Sequence, residues 1–319
     1  MRIGFIGLGN AGGALAGNLL ANGVDLSVHD LDARAVADFV SRGARDGVTP
    51  RAMAEHCDIV ITCLPSPAAS RAVVEGPGGI LEGMSAGKIW LEMSTTDAAE
   101  IKRIAALVAA RGGDAVDCPV SGGVHRAATG NISIFAGCER AVFERILPVL
   151  KVLGRTILHT GAIGTASTLK VMTNYLATAN LLTVCEALVT MKAAGMDLST
   201  TYEAIRISSG TSFVHETESQ VILNGSRDIS FSMDLLQKDI GLFQKIAADA
   251  GVPLEISPLM IEIFSDGQRR YGERANSDDI IRRLEEATGL SILAPGFPAE
   301  MVDTEPFALG EEVVPRGRA

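Results

Sequence analysis

The sequence predicts an α/β protein: an N-terminal Rossmann-type doubly wound parallel sheet, followed by an all-α C-terminal domain. Three observations carry that prediction. Short, unbroken apolar runs alternate with helical patterns through residues 1–160. Buried parallel strands read this way, because both faces of the sheet are covered. A glycine loop, Gly7-Leu8-Gly9-Asn10-Ala11-Gly12, follows the first apolar run and opens a helical pattern. After Gly164 the rhythm stops, and no strand candidate of comparable quality follows.

In chain order, Arg2–Gly7 reads as a strand and Ala11–Ala21 as a helix. Leu26–His29 and Asp32–Ser41 repeat the pair. Ile59–Leu64 and Lys88–Glu92 are the next strands. Thr96–Arg111 is a helix with Thr96 or Asp97 near its start. Strands at Ala115–Cys118 and Ile132–Ala136, a helix at Ala141–Leu150 and a strand at Thr156–His159 close the first domain, placed at residues 1–162. Residues 165–193 form one long apolar-rich helical pattern without Pro or Gly. Helices follow near 199–208, 211–224, 232–250 and 256–272, punctuated by Val252-Pro253 and Ser257-Pro258, with a short one at 278–287. The second domain is therefore placed at 163–287. Residues 288–319, with four prolines and a run of acids, read as a peripheral extension, packed on a partner subunit or loose.

Composition narrows the function. Of 319 residues, 47% are apolar and 21% charged, ordinary for a globular chain. The net charge of −10 leaves no basic face for phosphates, so nucleic-acid binding is not expected. The five cysteines are odd in number and lack ligand spacing; they read as reduced, buried thiols of a cytoplasmic protein, not as disulfides or metal ligands. The opening Met-Arg-Ile-Gly-Phe-Ile leads straight into a strand, so no signal peptide is expected. No unbroken run of about 18 apolar residues occurs, so no membrane helix is expected.

The glycine loop has the context that a dinucleotide fingerprint needs: a preceding strand and a following helix. Gly7, Gly9 and Gly12 permit a tight turn and close approach of backbone to a pyrophosphate. The plain structural alternative is a glycine turn chosen for strand–helix packing. Asp30, at the end of the second strand, suits the ribose hydroxyls and repels a 2′-phosphate, which favours NAD over NADP. Leu31 stands where an NADP site usually offers an arginine; Arg34 lies three residues on. Leu64-Pro65-Ser66 and Ser94-Thr95-Thr96 follow later strands, where ligands of open α/β sheets lie, though such hydroxyls also cap helices.

Two further motifs carry chemistry. In Asp117-Cys-Pro-Val-Ser121-Gly122-Gly123, amides around two glycines and a serine hydroxyl make a nest for an anion, such as a substrate carboxylate. A turn between strands is the alternative. In Gly161…Gly164…Lys170…Asn174, the lysine and asparagine share one helix face, four residues apart. A lysine in an apolar turn, beside a cationic nicotinamide, is expected to release its proton readily and exchange it with a substrate hydroxyl. A lysine snorkelling from a helix surface is the common alternative.

The glycine loop, the Asp117-to-Gly123 stretch, the Lys170/Asn174 segment and Lys238-Asp239 resemble, in order and spacing, the β-hydroxyacid dehydrogenases, above all their 3-hydroxyisobutyrate dehydrogenase branch. The resemblance spans about residues 1–285. It implies a site in the cleft between two domains, with Lys170 catalytic and Ser121, Gly122, Gly123 and Asn174 binding substrate. It also implies Thr95 as a cofactor contact and Lys238 near the nicotinamide. Departures are Ala11, where the family usually has Met, and Val124-His125-Arg126-Ala127, where it has small residues and glycine. His125 and Arg126 are therefore candidate contacts to a second anionic or polar group; side chains that face solvent are the alternative.

The resulting expectation is an NAD-dependent oxidoreductase of a small anionic 3-hydroxy acid, without metal, working as a homodimer or homotetramer. An NADPH-linked reductase of glyoxylate, tartronate or succinic semialdehyde is the enzymatic rival. A non-catalytic cofactor-binding oligomerisation module is the rival of another class.

Overall fold

The computed structural model describes residues 1–317 and divides the chain into two units. The first comprises residues 1–170 together with the chain from Asp303 onward; the second is Val171–Val302. This differs from the division read from the sequence, which cut at 162/163 and set 288–319 apart.

The first unit runs β1 (Ile3–Ile6), α1 (Asn10–Ala21), β2 (Leu26–His29), α2 (Ala33–Ser41), β3 (Arg45–Asp46), α3 (Pro50–His56), β4 (Ile59–Thr62), α4 (Pro67–Glu75), α5 (Ile80–Gly83), β5 (Ile89–Glu92), α6 (Ala98–Ala110), β6 (Asp114–Asp117), β7 (Val120–Ser121), α7 (Gly123–Thr129), β8 (Ser133–Gly137), α8 (Arg140–Leu153) and β9 (Thr156–Gly161). The long helix α9 (Thr165–Ala193) starts in this unit and continues into the second.

The sheet order is β10-β9-β8-β6-β5-β4-β1-β2-β3, where β10 is Glu311–Glu312. Pairing is parallel from β3 through β6, antiparallel between β6 and β8, and parallel again at β8–β9 and β9–β10. Ile3 lies opposite both Leu26 and Ile59, so the strand order reverses direction between β1 and β4. That is the switch point outside which α/β folds hold ligands. Side chains alternate across the sheet. Phe5, Ile61 and Leu91 enter a core with Leu15, Leu19, Phe143 and Leu150, while Ile6, Val60 and Trp90 enter another with Met53, Ile104 and Val108.

The second unit is helical: the rest of α9, then α10 (Leu198–Arg206), α11 (Phe213–Asn224), α12 (Met233–Asp249), α13 (Ile256–Tyr271), a 3-10 turn (Ser277–Ile281) and α14 (Arg282–Thr288). Its core gathers Leu188, Ile222, Met233, Ile240, Phe264 and Ile281. Leu290, Ala294 and Phe297, from the stretch read as peripheral, pack against that core, and Ile292 is buried in it.

Four sequence expectations need correction. The last segment is not loose: 290–297 packs into the second unit, and β10 pairs with β9 of the same chain. β10 is also a strand after residue 160, formed by edge pairing of two glutamates that carry no strand signal. Helix α9 is long and apolar enough, by length and composition, to cross a membrane, although a membrane helix was not expected. Its threonines and asparagines break any unbroken apolar run while Ala, Leu, Val and Met keep the average high; a core helix of a soluble protein passes the same test. Finally, none of the five cysteines forms a disulfide, but Cys63 is only partly buried.

Candidate active site

The glycine loop sits at the end of β1. Gly7 has φ +98°, and a Cβ there would fall 2.3 Å from the Cys63 carbonyl oxygen; at Gly12 it would fall 2.0 Å from that of Gly7. The fold itself requires these two glycines. Gly9 is different: its φ is −64°, and a Cβ would meet nothing within 4 Å. Packing gives no reason for glycine there, whereas close approach by a pyrophosphate does. The residues present thus fit a dinucleotide.

Asp30 is tied to this loop. One carboxylate oxygen accepts from Leu8 N–H at 2.5 Å and the other from Asp32 N–H at 2.8 Å. Asp32 caps α2 by accepting from Arg34 N–H, and this bond, with the Arg34 side chain, lowers its pKa. The Leu31 side chain is fully exposed, and Arg34 Nε lies 3.3 Å from Asp32. Asn10 is exposed and Ala11 partly buried at the start of α1.

The loop after β4 is braced from β5. Ser94 Oγ accepts from Leu64 N–H at 2.7 Å and donates to Glu92, which is buried at the end of β5. Burial pushes the Glu92 carboxyl above its ordinary pKa, against the hydrogen bonds from Ser94. Pro65 is exposed, and Thr95 follows Ser94, partly buried. Ser66 serves structure: its hydroxyl caps α4 by accepting from Ala69 N–H.

Ser121, Gly122 and Gly123 form the turn between β7 and α7. Gly122 (φ +130°) and Gly123 (φ +85°) both adopt backbone that disfavours side chains. A Cβ on Gly123 would also strike the His125 ring, 2.8 Å away, so the ring lies over this turn. Burial, followed by the nearby Arg126, lowers the His125 pKa, which favours neutral imidazole. Lys170 is buried, 7% exposed, and its Nζ lies 3.4 Å from Ser121 Oγ. The structure therefore brings together two residues that lie 49 positions apart.

Asp117, at the end of β6, fixes the start of α9. Fully buried, it accepts from Ser167 N–H at 2.8 Å and from Ser167 Oγ at 2.6 Å. Burial raises its pKa in spite of these bonds. Lys170 stands about one turn beyond Ser167.

In the second unit, Asn174 Nδ2 donates to Asp239 Oδ2 at 2.5 Å, and Lys238 Nζ lies 2.9 Å from Asp239 Oδ1. Asp239 is buried and holds both an amide and an ammonium group. Sequence reasoning named Asn174 and Lys238 but gave Asp239 no role. The signal was available: Asp239 continues the buried stripe of Met233 and Leu236 on α12, where a carboxylate needs a partner. Asp117, a carboxylate ending a buried strand, carried the same signal. Among the described residues, no cluster suits a metal ion.

Comparison with known proteins adds to this geometry. Residues 2–161 match the family model described as the NAD binding domain of 6-phosphogluconate dehydrogenase, and residues 164–284 that described as NAD-binding of NADP-dependent 3-hydroxyisobutyrate dehydrogenase. A 2-(hydroxymethyl)glutarate dehydrogenase of Eubacterium barkeri is 36% identical, over 92% of this chain and 97% of that protein. A 3-sulfolactaldehyde reductase of Escherichia coli is 29% identical, over 91% and 97%. The solved structure of a 3-hydroxyisobutyrate dehydrogenase from Salmonella typhimurium superposes with a TM-score of 0.81 at 26% identity, covering 89% of this chain and 99% of its own.

Proposed function

The chain belongs to the β-hydroxyacid dehydrogenase family, in its 3-hydroxyisobutyrate dehydrogenase-like branch, and is an NAD(P)-binding oxidoreductase acting on CH–OH groups; from that premise we propose that it uses NAD on a small 3-hydroxy acid, with Lys170 as general acid–base. The observation that carries the reading is the buried Lys170 ammonium nitrogen 3.4 Å from Ser121, beside a glycine turn suited to an anion.

Each residue has a role in this reading. The Ser121 hydroxyl and the amides of Gly122 and Gly123 hold the substrate carboxylate. Lys170 takes the proton from the substrate hydroxyl during oxidation and returns it to the carbonyl oxygen during reduction. Asn174, one turn further along α9, donates to the same oxygen, its amide oriented by Asp239. Gly7–Gly12, Leu64, Pro65 and Thr95 hold the dinucleotide. When bound, the nicotinamide supplies the two-electron chemistry at the carbinol carbon. Asp30 supports NAD, because a fixed carboxylate at the ribose position repels a 2′-phosphate. An assembly of two or four copies would cover exposed apolar side chains of α9 such as Leu176, 52% exposed.

The second reading, reduction of a small semialdehyde with NADPH, is supported by the similarity to a 3-sulfolactaldehyde reductase and uses the same residues in the reverse direction. Initial rates with NAD and NADP separate the two. The panel would include 3-hydroxyisobutyrate, 3-hydroxypropionate, glycerate, 2-(hydroxymethyl)glutarate and the sulfonate 2,3-dihydroxypropanesulfonate, with semialdehydes in the reductive direction. Turnover of one or two hydroxy acids, faster with NAD, is expected. Cofactor binding without turnover of any member would sink the proposal.

A further inference from the structure

Both family models stop before the last 35 residues, the second ending at residue 284. The Salmonella structure is covered over 99% of its own length yet reaches only 89% of this chain. Past residue 284 the chain includes the segment from Asp303 that belongs to the first unit, and this segment returns to the helix that leaves the candidate substrate turn.

Asp303 accepts from the hydroxyl of Thr129, the last residue of α7, and from Asn131 Nδ2 at 2.7 Å. The same Asn131 amide donates to the Glu305 carbonyl at 2.8 Å, and Asn131 is 3% exposed. Glu305 Oε1 lies 3.7 Å from Arg126 Nη2, on α7. Gly130, which ends α7, lies so close to the Phe307 ring that a Cβ there would fall 2.9 Å from it. Beyond these contacts the segment is pinned to the sheet edge. Gly310 N–H donates to Lys151 O at 2.8 Å, Val313 N–H to Ile157 O at 2.7 Å, and Glu312 pairs with Arg140.

A helix of seven residues is marginal alone and takes its position from what packs on it. Helix α7 has α1 on one side and this segment at its carboxyl end. At its other end it joins Gly122 and Gly123, which resist displacement poorly. Amides that must face a substrate anion therefore depend on how α7 is held.

We propose that the C-terminal segment Asp303–Glu312 is a positioning element for the substrate turn Ser121–Gly123, acting through α7, with Asp303 as its principal contact. The inference rests on the substrate-binding reading of that turn. Asp303 is favoured over Glu305 because its two side-chain donors are sheltered, whereas the Arg126–Glu305 pair is longer and more exposed.

The test compares Asp303→Ala and Asp303→Asn with the wild-type enzyme in steady-state kinetics, cofactor titration and hydrogen exchange of residues 123–131. Asp303→Ala is expected to raise the KM for the hydroxy acid about fivefold to tenfold, as loss of a charge-assisted hydrogen bond would. The cofactor Kd should stay within about twofold, and exchange at 123–131 should quicken. Asp303→Asn keeps an acceptor oxygen and should recover most of the loss. A wild-type KM in Asp303→Ala, or a cofactor Kd that weakens in step with KM, would overturn the proposal. If the wild-type enzyme turns over no hydroxy acid, the functional reading fails by itself. The exchange measurement then still decides the present one, since unchanged protection of 123–131 overturns it.

Discussion

The two units bury their carboxyl groups in different company. In the first, Asp117 and Glu92 end strands β6 and β5 and are held by neutral donors: Ser167 for one, Ser94 for the other. In the second, Asp239 faces a lysine and an amide, and Asp278 faces a second carboxyl, Glu218. Neutral donors fix a backbone without adding charge, so the first pair serves to place loops and the start of α9. An acid beside a lysine, or beside another acid, leaves charge for a site or a titration to respond to.

Removal of the lysine that Asp117 helps to place should have the largest effect. Lys170→Ala is expected to lower kcat at least about a hundredfold while leaving the cofactor Kd unchanged, since a general acid–base contributes on that order. Turnover near the wild-type rate would end the assignment. Asp239→Ala should come next. Loss of the acceptor for Asn174 and Lys238 is expected to cost about tenfold to a hundredfold in kcat/KM. Asp239→Asn should recover part, because it can still accept from Asn174. Asp117→Ala should instead cost stability, about 2 kcal/mol by chemical denaturation, because it strands the Ser167 donors. If Asp239→Ala lost only stability and Asp117→Ala lost only turnover, the contrast between the units would be reversed.

Legibility in the sequence followed the same line. Helix α9 was read whole, Thr165 to Ala193, because no Pro or Gly interrupts it. Strands β1, β2, β4, β5, β6, β8 and β9 were read because a buried parallel strand is a continuous apolar run, whereas β3 and β7, two residues each, were not. Helices α3 and α4 were not read either: the seven residues of α3 give too few turns for periodicity to show, and α4 buries only Ser70 and Val74, so no apolar stripe marks it. Their starts were nonetheless written in Thr49-Pro50 and Ser66-Pro67, a capping hydroxyl followed by a proline at the first helical position. The final segment was illegible for a different reason. Its strand exists only through pairing with β9, and its contacts to Thr129 and Asn131 span more than 170 positions. Asp239 was missed because a charged residue on a helix reads as solvent-facing unless the apolar stripe it interrupts is traced through it.

The smallest predicted effect tests the acid pair of the second unit. Burial pushes Glu218 up to about 7 and raises the Asp278 carboxyl well above its ordinary range, the latter also through repulsion by Glu218. The neighbouring cation, Arg227, is engaged 2.7 Å from Glu285 and lies 3.9 Å from Asp279, so it offsets the rise at Asp278 only in part. The unfolded chain releases the Glu218 proton near pH 4.5, whereas the folded chain keeps it to about 7. The folded state therefore binds more protons across that window, and its stability falls as pH rises from about 5 towards 8. Glu218→Gln removes one titrating group and keeps the shape. It is expected to flatten the fall of Tm with pH and to leave the variant about 1–2 kcal/mol more stable than wild type at pH 8, less than the full shift implies because the pair relaxes. Parallel Tm curves for the two proteins between pH 5 and 8 would show that the acids in this unit are held as neutrally as Asp117 is in the other.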